Sequence, residues 1–197
     1  MTTANKVTIL RILLVPFFVV EMLYYVQDGN EVHRLVGLLA YAITAILDGV
    51  DGYIARRYNQ RSELGAILDP IADKLLLVSG VVLLSFDHRP FLGKIPLWLT
   101  GTIIGRDLLL LIGLVVIQIT VGKVIVHPRI MGKIATVLQM IAVFWVLLKW
   151  DSEGGARWFK YWTASAAVCT GISGLLYLWD GVRQLGASPS SSPTGKQ

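Results

Sequence analysis

Apolar residues fill six long stretches of the chain, at residues 7–26, 35–55, 67–86, 95–120, 134–150 and 158–182, and polar residues gather in the segments between them. Each stretch is long enough to cross a hydrocarbon core of roughly 30 Å as a helix. The pattern predicts an all-α fold: a polytopic membrane protein with six transmembrane helices in one bundle. Residues 1–185 read as that single membrane domain, without an internal repeat. The tail 186–197, with its Ser-Pro-Ser-Ser-Ser-Pro run, is expected to be disordered. Pro16 and Pro70 fall inside the first and third stretches and should distort those helices, which neighbours in a bundle tolerate.

Composition agrees with a bilayer location. With 54% hydrophobic and 16% charged residues and a mean hydropathy of +0.63, too little polar surface exists to cover a soluble domain. Lys6 and Arg11 open the first stretch as they would a signal peptide, but Glu21 and the bulky Met22-Leu23-Tyr24-Tyr25 offer no small-residue cleavage site. A retained first helix is expected. The single Cys169 can build neither a disulfide nor a zinc site within one chain and reads as a buried structural thiol. Trp145, Trp150, Trp158, Trp162 and Trp179 crowd toward the ends of the last two stretches and read as interface anchors.

Charge sets the orientation. Arg56, Arg57 and Arg61 follow the second stretch, Lys123, Arg129 and Lys133 follow the fourth, and Lys6, Arg183 and Lys196 lie near the termini. These define one face, expected to be cytoplasmic. The opposite loops hold Arg34, Arg89, Lys94, Lys149, Arg157 and Lys160, partly balanced by Asp28, Glu31, Asp87, Asp151 and Glu153. The net charge of +5 is then explained by this asymmetry and by anionic lipid heads, with no nucleic acid partner.

The chemistry concentrates between Asp48 and Asp73, where the residues follow D-x2-D-G-x2-A-R-x8-G-x3-D-x3-D. On helices, Asp48 and Asp51 share one face, as do Asp69 and Asp73. A short connection makes the two helices antiparallel neighbours, so all four carboxylates can converge at the cytoplasmic ends of the second and third spans. Four such groups cannot all ionise without cations or protons beside them. Oxygen-only ligands at this spacing suit magnesium or manganese, and a carboxylate shared between ions makes a two-metal site able to bind a diphosphate. Gly49, Gly52 and Ala55 strip bulk from the adjoining face and leave room for a nucleotide head group, or serve close helix packing. Arg56 can pair with a phosphate or mark the inner face, and Ser62 and Gly65 can approach the same phosphates or line a solvated loop. Two other classes compete with an enzyme: an ion-coupled transporter, which would need a polar path across the membrane, and a non-catalytic scaffold, which would not need four aspartates.

This pattern resembles the signature of the CDP-alcohol phosphotransferase family, with every fixed position present, and the six-helix layout extends the likeness along nearly the whole chain. The resemblance implies a CDP-diacylglycerol-dependent phosphatidyltransferase of phospholipid biosynthesis in the bacterial inner membrane, commonly a homodimer. It gives Asp48, Asp51 and Asp69 to divalent metal, expected as two ions of magnesium or manganese, and makes Asp73 both a ligand and the general base. It places the CDP moiety against Gly52, Arg56 and Ser62, and against the segment Thr3 to Lys6 with Asn5 central. The acceptor is expected to be anionic, because Arg106 lies inside the fourth span while Arg129 and Lys133 flank the fifth, although interfacial charge and an Arg106–Asp107 pair are the plainer readings. Asn5-x2-Thr8-x2-Arg11, Leu68-Asp69-Pro70-x-Ala72-Asp73-Lys74 and Gly132-Lys133-x2-Thr136-x2-Gln139 resemble bacterial phosphatidylglycerophosphate synthases, which implies glycerol 3-phosphate. Gly105-Arg106-Asp107, followed by apolar residues, is more similar to the cardiolipin synthases of the family, whose acceptor is phosphatidylglycerol.

Overall fold

A computed structural model of the chain describes residues 3–57, 63–88, 91–121, 130–150 and 155–186. Among these residues the fold is all-helical: α1 (Thr3–Asp28), α2 (Glu31–Arg57), α3 (Glu63–Leu83), α4 (Leu97–Val121), α5 (Ile130–Leu147) and α6 (Ala156–Gly186). Each apolar stretch became one helix, and α1 and α3 run unbroken through positions 16 and 70. The proline at 16 removes one backbone donor without ending the helix, as neighbours on both sides of α1 hold it in place.

Local chemistry closes the helices. Gly29 adopts φ 68°, and its N–H bonds the Tyr25 carbonyl at 2.8 Å, ending α1 in the left-handed turn that glycine favours. Asn30 then caps α2, its Oδ1 accepting from the Val32 N–H at 3.0 Å. At the end of α5 a non-glycine residue takes the same role: Lys149 has φ 58° while the Trp150 N–H bonds the Trp145 carbonyl at 3.2 Å. That backbone is held by the Lys149 side chain, which donates to Glu31 Oε1 at 2.6 Å and lies 5.3 Å from the centre of the Tyr25 ring.

These contacts define one end of the bundle. Tyr25 at the end of α1 donates to the Phe91 carbonyl just after α3, and Arg34 in α2 donates to the Leu147 carbonyl at the end of α5. The opposite end therefore gathers the start of α1, the end of α2 and the start of α3. Helix α1 packs along both α2 and α3, while α6 packs against α4 and α5. The sequence made α2 and α3 antiparallel neighbours; they do touch, but among the described residues α1 is the larger partner of each.

The core runs through the middle: Phe18, Met22 and Tyr25 of α1, Tyr41 of α2, Leu76, Leu77 and Val81 of α3, Leu99 and Ile103 of α4, Val143 and Val146 of α5, and Phe159 and Ala166 of α6. Large apolar side chains also face outward along the helices, including Leu13, Phe17, Ile46, Leu111, Val137 and Leu175. Such continuous outward apolar surface suits a lipid environment. Two helical segments, Lys6–Asp28 and Ile130–Leu147, are long and apolar enough to cross a membrane by length and composition. The tryptophans divide: Trp150, Trp158 and Trp179 are exposed, whereas Trp145 and Trp162 pack inward with Phe159, and Trp162 donates to the Leu138 carbonyl at 3.0 Å. The tail beyond Gly186 lies outside the described residues.

Candidate active site

Helix α1 supplies the centre of the site. Arg11 is wholly buried, and its Nη2 donates to Asp48 Oδ1 at 2.8 Å and to Asp73 Oδ1 at 2.5 Å. One guanidinium thus joins α1, α2 and α3, and carboxylates from both halves of the sequence motif meet at one nitrogen. A buried charge is tolerated only when paired, and here the pairing also offsets repulsion between the acids. The aspartates are less enclosed, with side chains 36% exposed for Asp48 and 45% for Asp73. The site is therefore walled by protein behind Arg11 and open in front of the carboxylates.

Sequence reasoning met Arg11 only as a charge opening the first stretch and within Asn5-x2-Thr8-x2-Arg11, and gave it no role in the site. It stands near the start of an apolar stretch, where a lone cation reads as an orientation signal. The usable clue was that an ionisable residue within a span is expensive without a partner, a rule applied to Arg106 and equally valid one turn after Thr8, which is also buried.

A second cluster adjoins the first through the residue after Asp73. Lys74 donates to Asp107 Oδ2 at 2.5 Å, and Arg106 donates through Nη1 to Asp107 Oδ1 at 2.7 Å. Arg106 also donates through Nη2 to Ser173 Oγ at 3.1 Å and lies 5.8 Å from the centre of the Tyr177 ring. Its bed is made by two glycines: a Cβ at Gly132 would sit 3.1 Å from Nη2, and one at Gly174 would sit 3.3 Å from Cγ. One turn of α6 before Ser173, Thr170 accepts from Gln139 at 2.7 Å, closing α5 onto α6. The chain of contacts runs from Arg11 through Asp73 and Lys74 to Asp107 and Arg106, linking α1 to α6.

The other expected residues divide by position. Lys133 lies on α5 beside Gly132 and is exposed. Asp51, Gly52, Ala55 and Arg56 occupy the last turns of α2, Gly65 and Asp69 the first turns of α3, and Asn5 the first turn of α1. Their backbones are at the site's end of the bundle, and their side chains lie outside the described residues, as do Ser62 and Arg129 entirely. Asp51 follows Asp48 by three residues and Asp69 precedes Asp73 by four, the separations that put pairs on one helix face. Among the described residues Asp48 and Asp73 bring carboxylate oxygens together, the donor type that a hard divalent ion takes.

Comparison with known proteins points the same way. Residues 1–173 match the model of a family described as CDP-alcohol phosphatidyltransferase. The chain is similar to a "Probable phosphatidylglycerophosphate synthase" of Mycobacterium tuberculosis (strain ATCC 25618 / H37Rv), at 33% identity over 184 residues, covering 93% of this chain and 83% of that protein. It is 37% identical over 153 residues to a "CDP-diacylglycerol--glycerol-3-phosphate 3-phosphatidyltransferase" of Bacillus subtilis (strain 168), covering 73% and 75% of the two chains. The Escherichia coli (strain K12) protein of that same description is 32% identical over 175 residues, covering 87% of this chain and 90% of its own.

Proposed function

We propose that this chain, which belongs to the CDP-alcohol phosphatidyltransferase family, transfers the phosphatidyl group of CDP-diacylglycerol to glycerol 3-phosphate, forming phosphatidylglycerophosphate and CMP. The observation that carries the site assignment is the meeting of Asp48 and Asp73 at Arg11. Relatives named for glycerol 3-phosphate support the acceptor.

Asp73 takes the proton from the acceptor hydroxyl as its oxygen attacks the β-phosphorus that carries diacylglycerol. The new oxygen–phosphorus bond forms, the phosphoanhydride bond breaks, and its electron pair leaves with CMP. No covalent intermediate with the enzyme is required. Asp48, Asp51, Asp69 and Asp73 would hold divalent metal, two ions of magnesium or manganese, which would supply positive charge to the diphosphate and the leaving phosphate. Asn5, Gly52, Ala55, Arg56, Ser62 and Gly65 bind the CDP moiety. Arg106, Arg129 and Lys133 meet the acceptor's phosphate. Asp107 and Ser173 hold the guanidinium plane of Arg106 for this contact.

In this reading all six helices cross the membrane as one domain over residues 1–185, with the aspartates at the cytoplasmic side of a bacterial inner membrane. The protein acts as a homodimer. Offering glycerol 3-phosphate and phosphatidylglycerol separately to purified protein, with mass spectrometry of the lipid product, tests the acceptor. Phosphatidylglycerophosphate is expected. Cardiolipin formed instead would favour the reading drawn from Arg106-Asp107.

A further inference from the structure

Arg11 holds the carboxylate assigned as base, yet it stands on a helix that carries none of the four aspartates of the motif. We propose that Arg11 is a positioning residue of the reaction: its guanidinium, anchored between Asp48 and Asp73, fixes the direction in which the Asp73 carboxylate meets the acceptor hydroxyl. This inference rests on the reading of Asp73 as base.

Three features support it. Arg11 is fully buried whereas Asp73 is 45% exposed, so the contact is anchored in the protein and open toward the acceptor. A single nitrogen serves both acids, so displacement of one is transmitted to the other. Both contacts use Oδ1, and a guanidinium does not give up its proton in a protein, so it orients Asp73 without competing for the acceptor's proton. Lysine would keep the charge but lose the planar fork.

The test uses the purified full-length chain. Arg11→Ala is expected to lower kcat for CMP release about 100-fold, the scale on which misplacing a reacting group acts, and to leave KM for both substrates within about threefold. Manganese binding, followed by electron paramagnetic resonance without substrate, should be unchanged or tighter, because a neighbouring cation has gone. Arg11→Lys should recover part of the loss and sit about tenfold below wild type in kcat. If the alanine variant does not fold, the lysine variant carries the test, and wild-type kcat there overturns the inference. It is equally overturned by folded Arg11→Ala with kcat within about threefold of wild type, by a loss confined to KM, or by manganese binding lost together with kcat. Failure of the underlying reading has a separate mark: Asp73→Asn would keep wild-type kcat whatever the Arg11 variants do.

Discussion

Removing the carboxylate of Asp107 strands two cations, and the structure sets the size of the effect. Asp107 is 16% exposed and accepts from Arg106 on one oxygen and from Lys74 on the other. In Asp107→Ala, Arg106, itself 12% exposed, keeps Ser173 and the Tyr177 ring but loses its counter-charge. Breaking a buried pair from one side costs about 3–5 kcal/mol, and the surviving contacts put this case at the low end, about 3 kcal/mol. The Lys74 arm is 47% exposed and adds less than about 1 kcal/mol after solvent screening. For a chain of this size about 3 kcal/mol lowers the melting temperature by about 6–12 °C. Thermal unfolding in detergent, followed by tryptophan fluorescence, measures it. Adding Arg106→Met removes the stranded charge, so the double variant should recover most of the loss. Melting of Asp107→Ala within about 1 °C of wild type, or a double variant as unstable as the summed singles, would refute the reasoning.

The remaining expectations use the same assay. At the far end of the bundle Lys149, then Arg34, hold the Glu31 carboxyl down to about 2 from an ordinary 4.5. A carboxyl with a lowered folded pKa stabilises the fold above its unfolded value and loses that contribution as pH falls through the folded one. Glu31→Gln should therefore melt below wild type at pH 7, by a small margin because the group is exposed, with the gap closing between about pH 4.5 and pH 2. Gly29→Ala should destabilise by about 2 kcal/mol, since its φ is +68° and the new Cβ would lie 2.5 Å from Phe91 Cε1; wild-type melting would contradict this. The buried Tyr41 hydroxyl has no hydrogen-bond partner among the described residues, so Tyr41→Phe should be neutral or stabilising by up to about 1 kcal/mol, and a lower melting temperature would contradict it.

Helix count and order were legible because each apolar stretch is long and bounded by polar residues. The ends were less so. Helix α5 begins at Ile130, ahead of the apolar run at 134, and α3 begins at Glu63 rather than 67, because helices continue past their apolar stretches into polar turns that hydropathy does not mark. Two of the expected spans, not six, stand on length and composition among the described residues. In the site, Asp48 and Asp73 were legible from spacing alone. Arg11 was not, because its partner Asp73 lies 62 residues away and no local pattern joins them. Arg106 with Asp107 was visible as neighbours, whereas Lys74 and Ser173, contributed by α3 and α6, required the packing. Family membership decides against the transporter and scaffold readings, which spacing left open.

The proposed reaction is metal-assisted transfer to glycerol 3-phosphate by the acids gathered at Arg11. Its most direct test is CMP release from CDP-diacylglycerol in mixed micelles, with glycerol 3-phosphate present or omitted, before and after chelation. Release should require the acceptor, stop on chelation, return with added magnesium or manganese, and be lost in Asp73→Asn. Release that ignores the chelator, or persists undiminished in Asp73→Asn, would contradict the account.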